Sequence, residues 1–279
     1  VQLQHKYEFP IMTPDQTAAD TSTDALLSFA IELAQATGPI ALPLFRSALS
    51  VDNKQAGGFD PVTQADRAAE QAMRALIEER YPEHGIFGEE FGEKPGNSDF
   101  TWILDPIDGT RSFISGTPTW MTLVGLKHDG RMIAGAAGQP FTDEIFAGSR
   151  SGAHLLRAGR KTDLRCTSET ELAKVLAGTT APYLFQKHGH QERLQRIEDA
   201  VQHLRFDADS YFHCMVAAGQ LGISIDTGLQ SYDIAALIPI VEGAGGIVTT
   251  WDGSDASNGG DILVAANPAL HEQAMALLA

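Results

Sequence analysis

Two aspartates three residues apart, Asp105 and Asp108, close an apolar run in the segment WILDPIDGTRSF at 102–113. Carboxylates that close repel one another and are costly to desolvate, so the spacing asks for a cation between them. Asp, Pro and Gly are also ordinary turn residues, and the string alone does not choose between a turn and a site. Other acids bear on the choice. Glu89 follows the apolar stretch GIFG, Asp233 stands near the start of YDIAALIPIVEGAGG, and Asp60 and Asp66 bracket the start of a helical segment. Carboxylates delivered at the ends of apolar elements are how a rigid scaffold offers oxygen to hard divalent cations. No His or Cys pair joins them at ligand spacing, which points away from zinc and toward magnesium or manganese. On this reading Asp105 bridges two cations, the Ile107 carbonyl faces one and Asp108 the other, while Pro106 fixes the bend. Gly109 lets the backbone approach a phosphate, and Thr110 opens a helix whose N–H groups favour an anion. That is the equipment of metal-assisted phosphoryl chemistry.

The elements that must position these residues follow from periodicity. Residues 22–37 carry apolar side chains at helical spacing after a Ser/Thr/Asp start. Residues 50–59 read as a loop. A helix spans Gln64 to Arg80, with Ala65, Ala69, Ala72 and Leu76 on one stripe beside Met73 and Ile77. GIFGEE is a short strand, and MTLVGLKHDGRMIAGAAGQP a hairpin turning at Asp129-Gly130. Strands continue to Cys166. Beyond AKVLAGTT, helices are predicted near 188–203, 210–221, 231–243 and 268–279, alternating with the strands GISID, GIVTTW and DILVAAN. The expected organisation is a loose arm over 1–20, an α+β half over 21–175 with an antiparallel sheet, and an α/β half over 176–279. The two halves are expected to form one catalytic unit.

Composition narrows the function classes. The chain has 279 residues, 43% of them hydrophobic, enough for a large core. Its formal net charge of −16 and its lack of a basic stripe argue against nucleic-acid binding. No run of about 18 apolar residues suggests a membrane span. Cys166 and Cys214 stand alone, as in a reduced, cytoplasmic protein, and Cys214 reads as a core thiol.

Four segments, DPVTQAD (60–66), GEE (88–90), WILDPIDGT (102–110) and YDIAALIPIVEGAGG (232–246), resemble the inositol monophosphatase-like, lithium-sensitive phosphatases in order and spacing. The resemblance runs from about residue 22 onward. It implies the layered αβαβα sandwich shared with fructose-1,6-bisphosphatases. It also implies two to three Mg²⁺ ions per site, with Mn²⁺ able to substitute, inhibition by lithium and calcium, and a homodimer. Glu89, Asp105 and the Ile107 carbonyl would hold one metal, Asp105, Asp108 and Asp233 the second, and Glu89 a weaker third. Thr110 would orient the attacking water with Asp66 as its partner. Asp60 would support the metal shell, though it reads equally as a helix N-cap. Gly109 and Thr110 would bind phosphate, and Lys54 resembles a mobile-loop lysine near the substrate.

Substrate choice rests on the second half. Asp226 lies seven residues before Asp233, where the inositol enzymes keep a glutamate for substrate hydroxyls. Asp209 stands where they have a small residue; an added carboxylate suits a cationic substrate, although it also reads as the cap of a helix starting at Ser210. GTTAPYLF and the pattern GLQSYDIAALIPIVEGAGG, in place of cysteine-tryptophan-aspartate, resemble the histidinol-phosphate phosphatase branch. The expected activity is hydrolysis of L-histidinol phosphate in histidine biosynthesis, with aromatics near Tyr183 and Phe185 contributing. Inositol-1-phosphate or a wider set of sugar phosphates is the alternative, and an inactive metal-binding regulatory protein the remote one.

Overall fold

The computed structural model describes residues 20–47, 51–53 and 61–279, so Lys54 and Asp60 lie outside the described residues. The first half comprises α1 (Thr23–Ala36), α2 (Gly38–Ala41), β1 (Val51–Asn53), β2 (Pro61–Thr63), α3 (Gln64–Arg80), β3 (Gly85–Gly88), β4 (Gly92–Lys94), β5 (Phe100–Asp108), α4 (Thr110–Ser115) and β6 (Met121–His128). Four more strands follow: β7 (Arg131–Gln139), β8 (Glu144–Ser149), β9 (Gly152–Arg157) and β10 (Arg160–Asp163). An eight-stranded sheet runs in the order β10-β9-β8-β7-β6-β5-β3-β4 and is antiparallel except for the β3–β5 pair. The second half contributes β11 (Leu176–Gly178), α5 (Pro182–His188), α6 (Gln191–Ala200), β12 (His203–Arg205), α7 (Asp209–Ala217), β13 (Ile223–Leu229), α8 (Ser231–Ile234), α9 (Leu237–Gly243), β14 (Ile247–Thr250), β15 (Gly260–Ala265) and α10 (Pro268–Leu278). Its five-stranded sheet, β12-β11-β13-β15-β14, mixes parallel and antiparallel pairs.

Packing stacks these into the expected αβαβα layers. Leu26, Phe29 and Leu33 of α1 and Met73 and Ile77 of α3 bury one face of the large sheet against Trp102, Leu104 and Val124. On the other face, Ile103, Leu123 and Phe146 join Leu237, Ile240 and Val241 of α9. The same core continues through Ile223, Ile225 and Val264 of the small sheet to Ile197 of α6 and Leu270 and Ala274 of α10.

Backbone glycines set the distance of the middle layer. A Cβ built on Gly135 would fall 2.0 Å from the Ala236 carbonyl oxygen, one on Gly148 2.5 Å from Ile240 Cα, and one on Gly125 3.0 Å from the backbone at Ala235–Ala236. Three strands thus present bare backbone where α8 and α9 lie down. The stripe on α3 centres on Met73 and Ile77, with Ala65, Asp66, Ala69 and Glu70 buried beside them; Ala72 and Leu76 stand at its edge. The helix expected over 188–203 is the shorter α6, Gln191–Ala200, and it is preceded by α5, which the pattern did not predict and which ends where Gly189 adopts φ 77°.

Candidate metal-assisted active site

The central strand β5 carries the first ligand candidate. Trp102 and Leu104 belong to the core under α1 and α3, and Ile103 to the opposite core. With a period of two, Asp105 faces the middle layer. Pairing with β6 is irregular between Asp105 and Asp108, where three steps on β5 match two on β6. Proline suits such a bulge, since it has no N–H to leave unpaired. The Pro106 carbonyl accepts from Thr122 Oγ1 at 2.8 Å, and Asp105 Oδ1 accepts from the Ile107 N–H at 3.1 Å. The bend turns Asp108 toward the same space.

Parallel pairing of β3 with β5 brings Glu89 alongside. Gly88 is in register with Leu104, and the Glu89 N–H donates to the Leu104 carbonyl at 3.1 Å. Phe87 and Tyr232 rings pack at 6.1 Å, tying this strand end to α8. Asp233 enters from α8, where its carboxylate accepts from the Gln230 N–H at 2.6 Å in a capping box. Asp105, Asp108 and Asp233 each offer an oxygen, all within 4.8 Å of one another.

Electrostatics express the cost of this crowding. Burial pushes the Asp105 carboxyl well above the usual range, and Glu89, Asp108 and Asp233 push it further. Asp108 is raised by burial, Asp209 and Asp233, against hydrogen bonds from the Ser210 N–H and hydroxyl. Burial raises Asp233 to about 7. Three aspartates whose carboxyls are all raised by burial and by the charge of neighbouring acids form an all-oxygen donor set, which fits hard divalent cations.

The remaining predicted residues fall around this cluster. Gly109 holds φ 76°, a left-handed conformation that suits glycine, and α4 starts at Thr110, whose hydroxyl donates to the Ile107 carbonyl at 3.2 Å. Asp66 is buried at the start of α3, closing a capping box with Thr63. Ala65 and Ile107 share a small core cluster, so this helix start abuts the end of β5. Asp209 does not cap α7: the helix begins at Asp209, and Ala208 is the N-cap. Its carboxylate instead accepts from Ser112 Oγ at 2.9 Å and lies 2.7 Å from where a Gly109 Cβ would stand.

Asp226 does not open to the cleft. It is 1% exposed on β13, accepting from the Thr180 N–H at 2.8 Å and Thr179 Oγ1 at 3.1 Å, with His213 Nε2 3.4 Å away. That placement disagrees with direct contact to substrate; a short aspartate on a strand inside the small sheet stays within the core. Phe185 is likewise core, stacked on Trp251, whereas Tyr183 is 47% exposed with the Arg111 guanidinium 5.4 Å over its ring. Cys214 is buried, as expected of a core thiol, and Trp120 and Trp251 are buried too. Sequence reasoning missed Ser112, Ser210 and Glu70. For Glu70 a signal existed: it lies four residues after Asp66 on the apolar face of α3.

Fold and site together define a layered α/β protein with a carboxylate cluster that could hold a metal ion. The chain belongs to the inositol monophosphatase family, whose sequence model matches residues 22–279, and so to a family of phosphatases. It is 34% identical to a histidinol-phosphatase of Chlorobaculum parvum, over 96% of this chain and 97% of that one. It is also 34% identical to the chloroplastic bifunctional phosphatase IMPL2 of Arabidopsis thaliana, over 92% of this chain and 76% of the relative. Among solved structures, an inositol monophosphatase from Zymomonas mobilis matches with a TM-score of 0.81 and 35% identity, covering 93% of this chain and 99% of that chain.

Proposed function

We propose that the protein is a Mg²⁺-dependent phosphomonoesterase that hydrolyses L-histidinol phosphate to L-histidinol and phosphate. The observation that carries the substrate choice is Asp209. Its carboxylate packs on the Gly109–Ser112 turn, beside the metal-ligand candidates, where a substrate ammonium or imidazolium would be neutralised. Likeness to a relative named histidinol-phosphatase, over nearly all of both chains, supports the same choice.

Asp105, Asp108, Asp233, Glu89 and the Ile107 carbonyl would hold the cations. When bound, two to three Mg²⁺ ions supply Lewis acidity toward phosphoryl oxygens and acidify water. Glu89 accepts the proton of the attacking water, and Thr110, with Asp66 behind it, orients that water in line with the ester. A P–O bond forms to the water oxygen, the ester P–O bond breaks, the alkoxide takes a proton from solvent to leave as the alcohol, and Glu89 gives the proton it accepted back to solvent. Gly109 and Thr110 cradle the phosphate, and Asp209 and Tyr183 line the side that receives the leaving group. Asp60 and Lys54 keep the supporting roles that the resemblance implies. The segments 21–175 and 176–279 act as one catalytic unit, and the protein is a cytoplasmic homodimer, which light scattering and cell fractionation test. Among the described residues no helix is long and apolar enough to cross a membrane.

Phosphate release with Mg²⁺ from histidinol phosphate, inositol-1-phosphate and fructose-1,6-bisphosphate tests the assignment. Histidinol phosphate should lead in kcat/KM by at least roughly ten-fold, the value of one well-placed charged contact. Preference for inositol-1-phosphate, the reading that the Zymomonas mobilis relative favours, would overturn it.

A further inference from the structure

Glu70 is fully buried, yet it stands outside the carboxylate cluster. Its carboxylate sits under the turn that carries Glu89. It accepts from the Glu90 N–H at 2.7 Å and the Phe91 N–H at 3.2 Å. Arg74, one helical turn on, reaches Glu70 Oε1 through Nε at 2.8 Å, and its other arm donates to the Gly92 carbonyl. Its guanidinium also covers the Phe91 ring at 5.9 Å. A Cβ on Gly88 would fall 2.0 Å from Glu70 Oε1, so the residue before Glu89 must be glycine for the carboxylate to seat. Gly88, Glu90, Phe91 and Gly92 are thus all fixed to one ion pair on α3, and Glu89 is the residue enclosed by them.

We propose that the Glu70–Arg74 pair is a positioning device that holds the Glu89 carboxylate at the cation site. An aspartate could not span the same gap, and an apolar residue would leave two turn N–H groups and the Arg74 Nε–H without their acceptor. Glu70 touches neither substrate nor cation and acts through the backbone on either side of Glu89. It has this role only if Glu89 holds a cation, as proposed above.

Mg²⁺ affinity by calorimetry, with melting temperature in EDTA as a parallel readout, tests this in Glu70→Gln, Glu89→Gln and the double variant. Glu70→Gln should weaken Mg²⁺ binding about ten-fold, as loss of a supporting contact to a ligand does. In the Glu89→Gln background it should add little, because the ligand it positions is gone. Arg74→Lys keeps the charge but loses the second arm, and should weaken binding less, with the same dependence on Glu89; this variant decides the matter if Glu70→Gln does not fold. If Glu70→Gln lowers only the EDTA melting temperature, or if its effect on Mg²⁺ adds fully to that of Glu89→Gln, the positioning role is wrong. If Glu89→Gln itself leaves Mg²⁺ affinity intact, Glu89 is not a ligand and the role of Glu70 falls with it.

Discussion

Asp105 lies near the end of β5 and Thr110 opens α4, and the site asks different things of them. Asp105→Asn removes a carboxylate from the centre of the cluster and should abolish turnover together with Mg²⁺ binding. Thr110→Ala keeps every carboxylate, so Mg²⁺ binding should survive while kcat falls on the order of 10²-fold. Equal effects on Mg²⁺ affinity would contradict the division. A second pair tests burial. Asp226 is raised to about 7 and His213 lowered to about 4, both by burial. Between pH 4 and 7 the folded state holds a proton on Asp226 that the unfolded chain releases, so this group loses stability as pH rises. His213 stays neutral when folded while the unfolded imidazole protonates, so it loses stability as pH falls below about 6.5. The two slopes oppose, each at most about 1.4 kcal/mol per pH unit. Asp226→Asn should therefore gain on the wild type as pH rises from 4.5 to 6.5 in urea denaturation, and His213→Gln should do the reverse. Parallel profiles would show that Asp226 is ionised throughout. At this scale the sequence made the carboxylate cluster legible, because those residues sit at strand ends and helix starts that periodicity reveals. It did not reveal that Asp226 turns into the core, since a strand acid seven residues before a ligand looks the same whichever sheet face it takes.

Helix α9 reaches the large sheet by lying on glycines, and this makes a strong demand on particular strand positions. On β7, a Cβ at Gly135 would lie 2.0 Å from the Ala236 carbonyl, whereas one at Gly138 would come no nearer than 3.3 Å, to Ala34 Cβ. Gly135→Ala should cost about 1–3 kcal/mol by overpacking and, by lifting α8, weaken Mg²⁺ binding through Asp233. Gly138→Ala on the same strand should cost much less. Urea midpoints of the two variants decide this, and comparable losses would mean that α9 yields easily. The long elements were legible: α3 keeps the boundaries its pattern predicts, and the hairpin of β6 and β7 turns at Asp129-Gly130. The short ones were not. The three-residue strand β12 has too few residues to show a period, and the seven residues of α5, ended by Gly189, are also too few. The glycine track was invisible because close approach of a helix is a tertiary fact that a strand reading GRMIAGAAG does not announce.

Ligand candidates come from both halves of the chain, so cation binding at this cluster would be coupled to the docking of the halves. Asp105 belongs to the large sheet, Asp233 to the helix after β13, and Asp108 accepts from Ser210 of α7. In an unfolded chain these groups are scattered, so Mg²⁺ should bind the folded form alone and raise its melting temperature. At a hundred times Kd the gain is about 2.7 kcal/mol. A chain of net charge −16 would also gain from simple screening, because salt weakens its self-repulsion. The two origins separate in a variant. Asp233→Asn removes one of the crowded charges, so in EDTA its melting temperature should equal or exceed that of the wild type. Its Mg²⁺-dependent rise should nevertheless shrink, because a ligand is missing. NaCl at matched ionic strength should reproduce only the screening part, alike in both proteins. If NaCl raises the wild type as far as Mg²⁺ does, or if Asp233→Asn keeps the full Mg²⁺ shift, the carboxylates at the junction of the halves are an acidic surface and not a cation site.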